Sequence, residues 1–123
     1  GMLLVQLGQG EAAVPLLKQV LAVRPSDLEA HLNLGVALAQ QNRVDEAIGH
    51  YQKVLEIDPR FAPAHNNLGN MLLRLGRVDR AVLHYQAAVA IDPQDAEYQH
   101  NLSVGLLELA KTRKATPSRP AEK

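Results

Sequence analysis

Residues 28–61 read LEAHLNLGVALAQQNRVDEAIGHYQKVLEIDPRF, and residues 62–95 read APAHNNLGNMLLRLGRVDRAVLHYQAAVAIDPQD. Laid over each other with a shift of 34, the two segments agree at 16 of 34 positions. Pro25, Pro59 and Pro93 recur on the same step. A fixed period of this length means stacked supersecondary units, none of which can bury its apolar face without a neighbour.

Each unit reads as two helices. His31, Leu34, Gly35 and Leu38 follow the i, i+3, i+4, i+7 spacing of one helix face. Asn42-Arg43 breaks that helix, and Gly76-Arg77 stands at the matching place in the next unit, where glycine supplies a left-handed cap. A second helix runs from about Val44 to Ile57, with Ala47, Ile48, Tyr51, Val54 and Leu55 on one stripe. Asp58-Pro59 stops it, because the residue before proline is pushed out of the helical region. Ser26-Asp27-Leu28-Glu29 reads as a capping box for the next helix, and Pro63 falls where a first-turn proline is harmless. Gly35 and Ala47, like Gly69 and Ala81, are small where two helices cross closely.

These residues resemble the tetratricopeptide repeat. Its pattern W-x₂-L-G-x₂-Y…A-x₃-F…P takes the form His31, Leu34, Gly35, Leu38, Ala47, Tyr51, Pro59, and again His65, Leu68, Gly69, Leu72, Ala81, Tyr85, Pro93. Two departures stand out: His replaces the first aromatic and Leu the second. The resemblance implies an all-α, right-handed alpha-alpha superhelix of antiparallel helix pairs.

Residues 1–114 are therefore expected to form one repeat domain: a partial unit 2–27, full units 28–61 and 62–95, and a capping helix 96–112. Projecting the register backwards puts Gly8 at the turn and leaves 9–24 as a second helix, so about seven helices are expected, the first short. Pro15 falls about one turn into that helix and predicts a lost hydrogen bond to Glu11 and a local kink. Leu3, Leu4 and Leu7 are expected to lie at an open end, which makes self-association through open solenoid ends a candidate property. Residues 115–123 read as a disordered basic tail, with two prolines and no large apolar side chain.

The candidate binding residues come from the first helix of each unit. Asn33 lies roughly 200° around the helix from His31, away from the packing within its unit. Its rows are Asn33, Val36 and Gln40, then Asn67, Asn70 and Arg74, then Asn101, Val104 and Glu108. The family resemblance implies that first helices line the concave surface, which sets the three rows side by side as a peptide groove. A carboxamide both donates and accepts, so an asparagine ladder suits the backbone of an extended peptide. The family's two-carboxylate clamp for acidic chaperone tails would fall at Leu32, Val36, Asn67, Glu97 and Asn101. Only Asn67 fits it, and Glu97 would repel a carboxylate.

Composition narrows the remainder. The 123 residues are 46% apolar and 21% charged, and lack Cys and Trp, which excludes disulfides, thiolate metal sites and a cysteine nucleophile. Residues 1–110 hold 8 Lys/Arg against 12 Asp/Glu, a net −4, with no aromatic stacking row, so nucleic acid is not an expected partner. No apolar run is long enough to span a membrane, and no signal peptide is legible, so the expected compartment is the cytoplasm. His31, His65, His50 and His84 recur with the repeat and read as structural, His31 and His65 at unit interfaces, rather than as metal ligands. No phosphate loop or nucleophile elbow occurs. The reading is a protein–protein interaction scaffold that binds an extended peptide, with no enzyme activity and no cofactor. Two alternatives stand beside it: a self-assembling structural repeat module, or a substrate-recruiting fragment of a larger enzyme such as a glycosyltransferase.

Overall fold

The structure, a computed structural model, describes the backbone of residues 2–115 and the side chains of residues 13–113. Among these residues all regular structure is helical: α1 (Met2–Val23), α2 (Leu28–Gln40), α3 (Val44–Ile57), α4 (Ala62–Arg74), α5 (Val78–Ile91) and α6 (Ala96–Ala115). Each helix packs against the next in sequence, while α2 also touches α4 and α4 touches α6. The first helices of successive units thus form one row and the second helices another. This is the repeat stack that the 34-residue period predicts.

The corners follow from backbone chemistry. Asn42 at φ 62° and Gly76 at φ 78° both adopt the left-handed conformation, one with a side chain and one without. Around them Asn42 N–H donates to the Ala39 carbonyl at 3.0 Å and Arg43 N–H to Leu38 at 2.9 Å; Gly76 and Arg77 repeat both bonds to Leu73 and Leu72. That pattern satisfies the last carbonyls of α2 and α4 and reverses the chain. At the start of α2 the cap is Asp27, whose Oδ1 accepts from Ala30 N–H at 2.9 Å, so the capping residue is Asp27 and not Ser26. Asp95 caps α6 in the same way, accepting from Tyr98 N–H at 3.0 Å. In α4 the same register position is Phe61, and Pro63 in the first turn removes the need for one donor partner.

One difference concerns the first unit. Met2–Val23 run as a single helix through Gly8, so the described residues hold six helices instead of about seven. Six residues are too few for a helix to stand alone, and Gly8 permits a corner without compelling one. The helix also continues through Pro15. Leu3, Leu4 and Leu7 have side chains outside the described set, as does the expected tail beyond Ala115.

The core runs along the stack. Leu34, Leu38, Ala47 and Val54 are completely buried, and Tyr51 and Tyr85 are nearly so. The small residues explain how two tyrosines fit. A Cβ added to Gly35 would sit 2.6 Å from Cε1 of Tyr51, and one on Gly69 would sit 2.7 Å from Cε1 of Tyr85. Each ring therefore occupies the notch left by a glycine on its partner helix. Burial of the ring pushes the hydroxyl pKa of both tyrosines up to about 12.

Candidate functional site

A cleft of about 180 Å³ opens between α2 and α4. Val36, Ala39 and Gln40 come from α2, and Asn67, Asn70, Met71 and Arg74 from α4, with the ring of Tyr51 beneath them. Five of the nine sequence-predicted residues meet here: Val36, Gln40, Asn67, Asn70 and Arg74. The helix period explains their meeting, since residues three and four apart on α4 share the face that α4 turns towards α2.

The polar groups of the cleft differ in how far they are already engaged. Asn70 is held, because the Tyr85 hydroxyl donates to its Oδ1 at 2.6 Å. Val36 stands one repeat earlier at the place of Asn70, so the Tyr51 hydroxyl has no such acceptor and faces the cleft. Arg74 donates from Nη1 to the Ala39 carbonyl at 3.2 Å, which ties α4 to α2 and leaves most of its guanidinium donors to solvent. It makes no salt bridge among the described residues. Its charge acts on the Tyr51 hydroxyl, opposing the larger upward effect of burial. Asn67 is half-buried and has no hydrogen bond among the described residues. The cleft therefore offers an amide, a phenol and a cation over an apolar floor.

The other predicted residues stand elsewhere. Asn33 is exposed on α2, outside the cleft. On α6, Asn101 donates from Nδ2 to Oδ1 of Asn66 at 2.8 Å, and Asn66 is 3% exposed. This amide joins α6 to α4, so it orders a helix contact. Val104 is partly buried, and Glu108 pairs with Lys111 on the same helix at 3.3 Å. Tyr51, Ala39 and Met71 line the cleft without having been expected there. The legible signal was the mismatch between Val36 and Asn70, which leaves one tyrosine without its acceptor.

A second polar motif repeats with the fold. His31 Nε2 lies 2.8 Å from the Pro25 carbonyl, and His31 Nδ1 lies 3.0 Å from Nδ1 of His50. His65, Pro59 and His84 repeat the arrangement at 2.9 and 3.1 Å. Each pair lies between the two helices of one unit, while the second bond of His31 and His65 reaches the proline carbonyl of the preceding unit, at the unit interface expected for them. A carbonyl only accepts, so His31 Nε2 carries hydrogen; neutral His31 then accepts through Nδ1, and His50 donates. Burial first, and the facing imidazole second, lower the pKa of His50 and of His84. Among the described residues no group of three or more His, Cys, Asp or Glu is placed to hold a metal. No described helix is long and apolar enough to cross a membrane.

Two tetratricopeptide repeat family models match the chain, one over residues 1–60 and one over residues 38–103. The chain is similar in structure to YrrB, described as a TPR protein with an unusual peptide-binding site, at 30% identity and a TM-score of 0.73. The match covers 81% of this chain and 52% of YrrB, so the chain spans about half the length of that relative. It resembles the first TPR of Spaghetti (RPAP3), solved with an HSP90 peptide, at 15% identity and a TM-score of 0.81, covering 86% of this chain and 84% of that one. The MamA protein gives 20% identity and a TM-score of 0.80 over 91% of this chain and 61% of MamA. No curated protein matches the chain.

Proposed function

Because this chain belongs to the tetratricopeptide repeat family, we propose that it is a protein-interaction scaffold whose first-helix row α2, α4 and α6 holds an extended peptide. The observation that carries this reading is the cleft between α2 and α4. There, among the described residues, the Asn67 amide and the Tyr51 hydroxyl lack partners of their own, and Arg74 lacks a carboxylate. A peptide backbone supplies both donors and acceptors to an amide, and each such bond contributes roughly 0.5–1.5 kcal/mol net. Useful affinity therefore needs several contacts along the row. Gln40 and Asn70 belong to the walls of this cleft, and Asn33, Val104 and Glu108 extend the proposed groove beyond it. The peptide-binding description of YrrB at 30% identity supports the reading. We assign no catalytic residue.

The test is selection of peptides from a random displayed library on the 123-residue chain, followed by fluorescence polarisation with the best binders. Asn67→Ala and Arg74→Ala are expected to weaken binding by about 3- to 10-fold each, the loss of one to two net hydrogen bonds. Far-UV circular dichroism should be unchanged. Equal affinity of both variants and the parent would overturn the groove reading.

A further inference from the structure

Given that α2, α4 and α6 hold an extended peptide, the reading on which this step rests, we propose that the cleft between α2 and α4 receives the side-chain carboxylate of a single glutamate inside that peptide. The fixed polar groups of the cleft are donors. The Tyr85 hydroxyl donates to Oδ1 of Asn70 at 2.6 Å, which engages the acceptor of that amide and leaves its Nδ2 donors for the cleft. Tyr51 is 2% exposed, and among the described residues no fully buried side-chain nitrogen or oxygen lacks a hydrogen-bond partner. Its unpartnered hydroxyl is therefore the part that reaches the surface. Burial holds the pKa of this phenol up at about 12, so at neutral pH it keeps its proton and donates. Arg74 has no acceptor, and it gives one hydrogen bond, to the Ala39 carbonyl at 3.2 Å. Asn70 and Arg74 are neighbours on one face of α4, four residues apart. Donors converging around a positive charge call for an anion with more than one acceptor oxygen.

Charge and shape choose among such anions. A phosphate group brings a charge of about −1.5 to −2 at neutral pH, and Arg74 is the one cation that lines the cleft. Along the row its counterparts are Gln40, which is neutral, and Glu108, which pairs with Lys111 at 3.3 Å. Residues 1–110 hold 8 Lys/Arg against 12 Asp/Glu, so the surroundings repel each further negative charge on the ligand. One carboxylate matches one guanidinium. The floor then distinguishes a side chain from a chain end. Val36, Ala39, Met71 and the ring of Tyr51 are apolar, and the two methylenes of a glutamate cover them without burying a polar group. A C-terminal carboxylate arrives with its own backbone N–H beside it, and that donor would meet donors.

The test is fluorescence polarisation with C-terminally amidated peptides, selected on the 123-residue chain from a bead library in which one central residue is Glu and all others are neutral. Each binder is remade with Gln at that place, with phosphoserine there, and with Gln plus a free C-terminal carboxylate. On the parent the Glu form is expected to bind about tenfold more tightly than the Gln form, as for a charge-assisted hydrogen bond. On Arg74→Gln that ratio is expected to fall to about threefold or less, as for a neutral one; on Arg74→Lys, which keeps the charge, the preference should persist. Equal binding of the Glu and Gln forms by the parent would overturn the proposal. So would an undiminished ratio on a folded Arg74→Gln, tighter binding of the phosphoserine form, or a free C-terminus that restores the Gln form. Asn67→Ala judges the groove separately. Binders that weaken on Asn67→Ala yet ignore the Glu-to-Gln exchange leave the groove standing and remove the carboxylate alone, whereas a library without binders removes both.

Discussion

Gly69→Ala tests how the core is built. The added methyl would lie 2.7 Å from Cε1 and 2.8 Å from Cδ1 of Tyr85, and 3.2 Å from the Ala81 carbonyl oxygen. The ring has little room to yield. It is 1% exposed, and its hydroxyl is tied to Asn70 at 2.6 Å. Two effects oppose each other. Alanine in a helix interior is favoured over glycine by about 1 kcal/mol, while overpacking a filled core costs about 1–3 kcal/mol. Because the clash involves a ring and a backbone oxygen, the upper half of that range applies, and the net loss is about 1–2 kcal/mol. For a domain of this size that is a fall in midpoint temperature of roughly 4–10 °C. Urea unfolding followed at 222 nm reads it directly. Tyr85→Leu in the same background should recover at least about 1 kcal/mol of coupling in a double-mutant cycle. A Gly69→Ala protein as stable as the parent, or an additive cycle, would refute the argument that ring and notch are matched.

Stability should also fall with acid. His50 and His84 have folded pKa values below the ordinary histidine value, so the unfolded chain binds more protons and stability rises with pH across that window. It is present above about pH 6.5 and is lost as the pH falls below it towards the depressed folded values. The urea midpoint measured from pH 7.5 to 5 should decline for the parent and flatten for His50→Leu/His84→Leu; equal slopes would contradict the histidine assignment. In tyrosine absorbance two of the three phenols should ionise well above pH 10, since burial pushes Tyr51 and Tyr85 up to about 12, and Tyr98 is raised as well, by burial first and then by Asp95. The unfolded phenols ionise first, so stability is lost as the pH rises from about 10 towards 12. Asn66→Leu should cost about 1–3 kcal/mol by leaving the Asn101 amide without its acceptor between α4 and α6; a change under 0.5 kcal/mol in urea unfolding would show that the bond does not order that contact.

The stack and its corners were legible because they rest on residue types with few alternatives. Positive φ at residues 42 and 76 calls for Asn or Gly, and a buried tyrosine calls for a glycine opposite. The join at Gly8 was not legible, because glycine tolerates the helix as well as the corner and the length of the segment decides. For the candidate site, spacing along one helix placed Asn67, Asn70 and Arg74 on one face, but it could not show which amides were already engaged. Asn70 and Asn101 look equivalent to Asn67 in sequence; only the positions of Tyr85 and Asn66 distinguish them. The histidine pairs were within reach, since His31 and His50, like His65 and His84, are 19 apart in both units.

Pro25, Pro59 and Pro93 each offer a carbonyl that the side chain six residues later, His31, His65 or Gln99, reaches back to hold. The joint between neighbouring hairpins is thereby fastened inside a seven-residue stretch of chain, and the other side of the His31 and His65 rings is held by His50 and His84 of the same hairpin. A whole hairpin can on this account be excised or duplicated between successive prolines and the joint will re-form unaltered. Growth or shortening of the array by gene duplication then needs no retuning of its pitch.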